Sequence, residues 1–197
     1  MQVEYDPREY VDRRRDWTTN PVAYLDQYYT RYYWIAPASE DSKGVEGDLL
    51  IHQSPNCLCV LCLAPTHPLL LRYKEDPTIA KRIRIEFQDT YNSVNLSSKN
   101  KKGAPWLQVG SEYLKIMLDE EPGKEPEASD TEPLVYSFRS CIHSQMMEVN
   151  EKFVNDPDLL FRRPYSQGYL AIVKPKLDDP KKALELCITR EEYEARQ

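Results

Sequence analysis

The sequence predicts a mainly β domain, a small all-β sandwich or barrel, and three observations lead to that prediction. About seven short segments have the two-residue alternation or short apolar runs of β-strands, with turn residues between them. The chain has 197 residues, of which 41% are hydrophobic, enough for one domain with a core of its own. No apolar run approaches the ~18 residues that a membrane helix needs.

The individual strand segments can be taken in order. DLLIHQ (48–53) and CLCVLCL (57–63) are separated by SPN, a turn composition, which predicts a hairpin. KRIRIEFQ (81–88) places its apolar side chains on one face and its charged ones on the other. The remaining predicted strands are EYLKIML, LVYSFRS, SQMMEV and GYLAIVK.

Three short helices interrupt or flank these strands. Asn20 and Pro21 are a cap and a first helical residue, and they predict a helix to about Gln27. Asp156 as cap and Pro157 at the first position predict one or two helical turns in NDPDLLF. A terminal helix begins at the capping box formed by Thr189 with a Glu three residues later.

These signals divide the chain into four parts. We expect a mobile charged arm at 1–20, an aromatic segment with a short helix at 21–46, a β domain at 47–177 and a C-terminal helix at 178–197. Within the β domain, DEEPGKEPEASDTEP (119–133) holds seven acidic residues and one lysine, so it accounts for the whole net charge of −6. Such a composition cannot bury enough apolar surface to fold, and we expect a disordered acidic loop.

The cysteine-rich run raises the question of a metal site. Cys57, Cys59 and Cys62 follow a C-x-C-x-x-C spacing that matches none of the common zinc motifs. On a strand, the first two would face one way and the third the other, so the sulfurs could not close on one ion. We therefore interpret them as core residues, although a zinc-dependent module remains an alternative. His52 and His67 are interpreted as turn or edge residues.

The best candidate docking residues precede the predicted strand at 112. Lys99, Lys101 and Lys102, followed by Trp106, form a basic segment that could bind an acidic protein or phosphates, and the alternative is a solvated turn. The sequence has no nucleophile, zinc-protease or phosphate-loop motif, so we predict no catalytic, cofactor or metal residues.

An acidic chain without a basic-aromatic stripe is not expected to bind nucleic acid. The odd cysteine count and the charged N-terminus indicate an intracellular protein with no membrane association.

From about Leu134 onward the sequence resembles the glycine cleavage H protein. IHSQMMEVNEKFVNDPDLLFRRPYSQGYLAIVKPK and the final TREEYEA carry the resemblance. It implies a flattened barrel of two small antiparallel sheets, the single-hybrid or lipoyl-like fold. In that family a lysine on a tight hairpin carries the cofactor, whereas here the acidic loop replaces the hairpin and holds only Lys124. A lipoyl- or biotin-type carrier modified at Lys124 is therefore the alternative function.

A second resemblance covers more of the chain. VAYLDQYYTRYYW, LLIHQSPNCLCVLCLAPTHPLL, SKNKKGAPWL and MMEVNEKF…GYLAIVKPK resemble the Abitram family of actin-binding transcription modulators, also called Simiate. This resemblance implies a non-enzymatic protein that binds actin monomers and filaments, regulates filopodia and modulates transcription. It also implies residence in the nucleus, including nuclear speckles, and in the cytoplasm, including lamellipodia and other projections, with transcription or speckle proteins as further partners.

Overall fold

A computed structural model describes residues 21–37, 44–92, 104–119, 132–176 and 182–197. The predicted arm at 1–20, most of the acidic loop, and the lysines at 99, 101, 102 and 124 lie outside the described residues. The strands are β1 (Thr30–Trp34), β2 (Leu49–Gln53), β3 (Cys59–Leu63), β4 (Ile83–Phe87), β5 (Trp106–Leu107), β6 (Glu112–Leu118), β7 (Leu134–Arg139), β8 (Ser144–Val149), β9 (Ala171–Pro175) and β10 (Ile188–Thr189).

Within the described ranges, six short helices join or flank the strands. They are α1 (Pro21–Tyr28), α2 (Pro68–Glu75), α3 (Asp89–Asn92), α4 (Lys152–Asn155), α5 (Leu159–Arg162) and α6 (Arg190–Glu194). Two 3₁₀ turns lie at Pro77–Lys81 and Lys182–Leu184. In the described part of the chain no helix is long and apolar enough to cross a membrane.

The strands form two antiparallel sheets, as predicted. The large sheet has the order β10-β1-β2-β3-β9-β8-β5, and the small sheet has the order β4-β6-β7. Within the described residues both sheets stay open at their edges, so the arrangement is not a closed barrel. The large sheet reaches seven strands partly because β1 pairs with β2 and β10 pairs with β1; the sequence predictions placed both β1 and β10 outside the β domain.

The run CLCVLCL does not alternate between apolar and polar residues, because β3 is packed on both faces of the large sheet. Leu61 and Leu63 belong to a core that also contains Leu114 and Phe138 of the small sheet. Cys62 belongs to a second, smaller cluster on the opposite face of the large sheet. Because β3 is covered on both faces, both sets of alternating side chains are apolar.

The helices differ in part from the sequence predictions. The helix α2, which the sequence did not predict, begins where the His67 ring accepts a hydrogen bond from the backbone N–H of Leu69, 3.1 Å away. The helix expected from an Asp156 cap begins later, after Asp158, and Asp156 instead ends α4. The predicted capping box of α6 is confirmed, with Glu192 and Thr189 bonded in both directions.

Candidate functional site

Three of the six large apolar side chains that are exposed in the described part of the chain surround one cavity. Val109 and Leu186 line it, and Trp106 lies beside it in contact with the lining residue His143. The cavity has a volume of about 440 Å³. We call this surface the Trp106 groove: Trp106 at the rim, with walls formed by Val109, Cys141, His143, Lys176, Lys182, Ala183, Glu185 and Leu186.

Trp106 is held outward by the pleat of an edge strand. It pairs with Gln145 in β8, while its neighbour Leu107 pairs with Ser144 and is fully buried. Because successive side chains alternate faces, burying Leu107 turns Trp106 to the surface, where it is 53% exposed. Its ring meets the His143 ring edge-on, with 5.8 Å between centroids. The prediction of an exposed Trp106 is confirmed.

The walls of the groove are fixed by two backbone hydrogen bonds between segments distant in sequence and by one within a turn. Gly110 donates to the carbonyl of Ser140 at 2.8 Å, which places Val109 on the tip of a tight turn. Lys176 donates to the carbonyl of His143 at 2.9 Å. Cys187 donates to the carbonyl of Leu184 at 2.9 Å, and Leu184 is itself buried. The groove is therefore formed before any partner arrives.

The inner wall of the groove includes the Cys141 thiol. A hydrogen bond with Cys187, followed by burial, raises the pKa of Cys141 well above its ordinary value. A thiol held in its protonated form is a poor nucleophile and a poor metal ligand. This part of the groove is therefore suited to contact and not to covalent chemistry.

Among the described residues, the charges that line the groove are mostly positive. Lys176 and Lys182 line it together with one described carboxylate, that of Glu185. Within the described residues neither ammonium group forms an ion pair. The described lining therefore has more basic than acidic side chains, on a chain whose net charge is −6. Asp178 and Asp179, between the two lysines, lie outside the described residues.

The lysine part of the predicted docking segment is not described. Lys99, Lys101 and Lys102 lie in the undescribed range 93–103, so their role stays a prediction. Lys102 is only two residues before Ala104, whose carbonyl accepts a hydrogen bond from the Gln145 side chain at 3.1 Å.

The three clustered cysteines do not converge. Cys59 lies in the core between the sheets and Cys62 on the opposite face, as the strand alternation predicted. Cys57 is not on the strand: it lies in the turn before β3 with a φ of 65°. In the described ranges no three His, Cys, Asp or Glu side chains are grouped to hold a metal ion.

Both histidines interpreted as turn or edge residues are buried. That interpretation is wrong for His52, whereas His67 does lie at a turn, where its backbone N–H donates to the carbonyl of Ala64 at 2.9 Å. His52 lies in β2, an inner strand of the large sheet, and is 2% exposed. Burial, followed by the nearby Arg31 charge, lowers the pKa of His52 to about 4. His67 is buried as the cap of α2, and its burial lowers its pKa to about 3.

The hairpin expected for a lipoyl-like carrier has a different geometry here. Leu118 of β6 pairs directly with Leu134 of β7, so the connection between the two strands is the whole segment 119–133. Tight hairpin connections have about two to five residues. Lys124 itself lies outside the described residues.

Sequence reasoning missed most of the groove. Val109, Leu186, Lys176 and Lys182 carry no motif and come from three separate segments. Trp106 had a signal in the sequence, since it follows the basic, glycine-containing segment that holds Lys99, Lys101 and Lys102.

Comparison with known proteins places the chain among related sequences. Residues 132–197 match the family described as Glycine cleavage H-protein. Protein Abitram of Xenopus tropicalis is 33% identical over 171 residues, covering 86% of this chain and 83% of that protein. Protein Abitram of Bos taurus is 34% identical over 170 residues, covering 86% and 81%. A crystal structure of a glycine cleavage system H protein from Mycobacterium marinum aligns with a TM-score of 0.42 and 14% identity, over 85% of this chain and 90% of that one.

Proposed function

The chain belongs to the Abitram family, and on that basis we propose that it is a non-catalytic interaction protein that binds actin monomers and filaments. The observation that carries the proposal is the exposed Trp106, in contact with His143 beside Lys176 and Lys182, which form no ion pair among the described residues. Tryptophan is enriched among the residues that dominate binding energy at protein interfaces. Actin has an acidic surface, which favours a basic docking site.

In the cell this activity would regulate actin polymerisation and filopodia in the cytoplasm and would accompany a role as a transcription modulator in the nucleus. Nuclear-speckle proteins and transcription factors are the further partners that we propose. Lys99, Lys101 and Lys102 would extend the basic surface toward the filament. The acidic segment 119–133 would be repelled by actin and would face away from it or bind a basic partner.

Cosedimentation with actin filaments tests this function. We expect the wild-type protein to pellet with filaments and to be released as the salt concentration rises, because salt screens exposed charges. Trp106→Ala and a variant with all three lysines 99, 101 and 102 changed to Glu should each weaken binding by roughly tenfold or more. If the wild-type protein stays in the supernatant at low salt, the actin proposal is wrong.

The carrier alternative has its own test. A lipoyl- or biotin-type modification at Lys124 would add the mass of the cofactor to protein purified from its native cell. Intact-mass measurement of that protein separates the two functions, because an interaction protein needs no such group.

A further inference from the structure

We infer that the Trp106 groove binds a short acidic peptide segment of a partner protein, with one large apolar side chain of that segment inserted between Val109 and Leu186. The inference deepens the proposed function, because it names the chemistry that the interaction protein recognises. It depends on the geometry of the groove and not on the identity of the partner.

The first argument is the apolar surface that the groove leaves exposed. Val109 is 49% exposed, Leu186 is 56% exposed and Trp106 is 53% exposed, all beside one cavity. Exposed large apolar side chains that lie together, and not singly, are typical of interaction sites. The cavity volume of about 440 Å³ falls in the range of pockets that enclose a ligand of a few side chains.

The second argument is charge. Lys176 and Lys182 line the same cavity without an ion pair in the described part of the chain, and Glu185 is the single carboxylate there. A peptide with acidic residues on either side of its apolar anchor would place carboxylates near both ammonium groups. A basic peptide would instead place its positive charges next to Lys176 and Lys182. A nucleic acid would have no large apolar group to insert between Val109 and Leu186.

The third argument is preorganisation. Gly110 is bonded to Ser140, and Lys176 to His143, so the walls that carry Val109 and the two aromatic rings are already fixed. A site that does not need ordering loses less free energy on binding. A short segment can therefore bind with useful affinity although it covers a small area.

The acidic segment 119–133 of this chain is a weaker occupant. It has the charge, but its other residues are Pro, Gly, Ala, Ser, Thr and one Lys, so it has no large apolar side chain to insert. This segment provides a natural control for the role of the apolar anchor.

The test is fluorescence anisotropy with the full chain and labelled peptides of defined composition. The probe is an eight-residue peptide with one Phe among Asp and Glu residues. The controls are the same peptide with Ala in place of Phe, a version with Lys in place of the acids, and a peptide copying residues 119–133. We expect the probe to bind at least tenfold more tightly than each control.

Variants of the chain complete the test. Lys176→Glu with Lys182→Glu, and separately Leu186→Asp, should each weaken the probe at least tenfold. Lys152→Glu is the matched control for the change of charge. Lys152 is also exposed, but it lies beyond the end of β8 that is opposite to the groove residue His143. Circular dichroism of each variant checks that it is folded. A folded Leu186→Asp variant that binds the probe as tightly as wild type would overturn the inference, as would equal binding of the Phe and Ala peptides.

Failure of this inference is distinguishable from failure of the proposed function. Filament cosedimentation without probe binding would reject the groove as a peptide site and leave actin binding in place. Probe binding without cosedimentation would reject actin and keep the groove. The anisotropy experiments contain no actin, so the peptide-binding result does not depend on the cosedimentation result.

Discussion

The ring of Tyr193 in the C-terminal helix α6 stacks on the ring of Tyr33 in β1, with centroids 3.8 Å apart and an interplanar angle of 6°. The Tyr193 hydroxyl lies 2.6 Å from the hydroxyl of Thr66, which in turn donates to Asp48 at 2.8 Å. One side chain therefore joins the C-terminus to β1 and to the loop after β3. Tyr193 is 4% exposed, and both it and Tyr33 belong to the smaller core cluster.

Two substitutions of Tyr193 should distinguish how much the ring stack and the hydrogen bond each contribute to stability. Tyr193→Ala removes the stack and the hydroxyl and should lower the free energy of unfolding by about 3 kcal/mol, as expected for a buried aromatic. Tyr193→Phe keeps the stack and should cost about 1 kcal/mol, the typical net value of one hydrogen bond. Urea unfolding measures both. The exposed Val154→Ala is the control, and equal losses for Ala and Phe would show that the stack contributes nothing.

Gly168 and Gly110 should respond very differently to a methyl group. A Cβ on Gly168 would lie 2.2 Å from the carbonyl oxygen of Leu159, a backbone atom that cannot move aside. Gly168→Ala should therefore destabilise the protein by at least about 3 kcal/mol. Gly110 has a φ of +84° and open space around it, so Gly110→Ala should cost only the backbone strain, about 1 kcal/mol. Thermal unfolding compares them, and similar melting temperatures would contradict the packing at Gly168.

Acid should destabilise the fold partly through His52. Burial lowers its pKa to about 4 in the folded chain, whereas the unfolded chain has the ordinary value near 6.5. Above pH 6.5 the ring is neutral in both states; below it, the unfolded state binds the proton first. The stability contributed by neutral His52 is thus fully present above pH 6.5, is lost progressively as the pH falls, and is gone near pH 4, a loss of roughly 3 kcal/mol.

The charges facing His52 support that direction. Arg31 lies opposite it across β1 and β2, while Tyr29 and Tyr165 contact its ring, and its two nitrogens have no hydrogen-bond partner among the described residues. Asp26, bonded to Arg31, opposes the shift as the smallest cause. His52→Leu should flatten the pH dependence of unfolding between pH 6.5 and 4. Urea titrations at several pH values measure this, and parallel curves for wild type and variant would contradict the assignment.

The five cysteines should divide into two classes toward alkylating agents. Burial raises the pKa of Cys59 to about 12 and also raises that of Cys62, and Cys141 is buried as well. Cys57 and Cys187 are partly exposed. Iodoacetamide on the native protein should label only Cys57 and Cys187, and denaturant should open the other three, because the reactive form is the exposed thiolate. Peptide mass mapping identifies the labelled cysteines. Labelling of Cys62 in the native protein would contradict its burial.

Local patterns identified most of the strands but not the site. The alternation of Ile83, Ile85 and Phe87 predicted β4 correctly, and SPN predicted the β2–β3 hairpin. The two-residue strands β5 and β10 have no periodicity to detect, and α2 was missed because its His67 cap is not one of the usual capping residues. The sequence predicted only one residue of the Trp106 groove, Trp106 itself. The walls come from separate segments, and no local sequence pattern marks them as one site.

The sequence by itself determined the mainly β character and the opposite faces of Cys59 and Cys62, because side-chain alternation is a local property of the backbone. The two antiparallel sheets were implied by the resemblance to the glycine cleavage H protein and not by the alternation. Only the tertiary structure decided that β1 and β10 join the large sheet, that His52 is buried, and that Trp106 shares a surface with Leu186 and two lysines. Those relationships depend on which distant segments pair and pack together, and no local pattern encodes that choice.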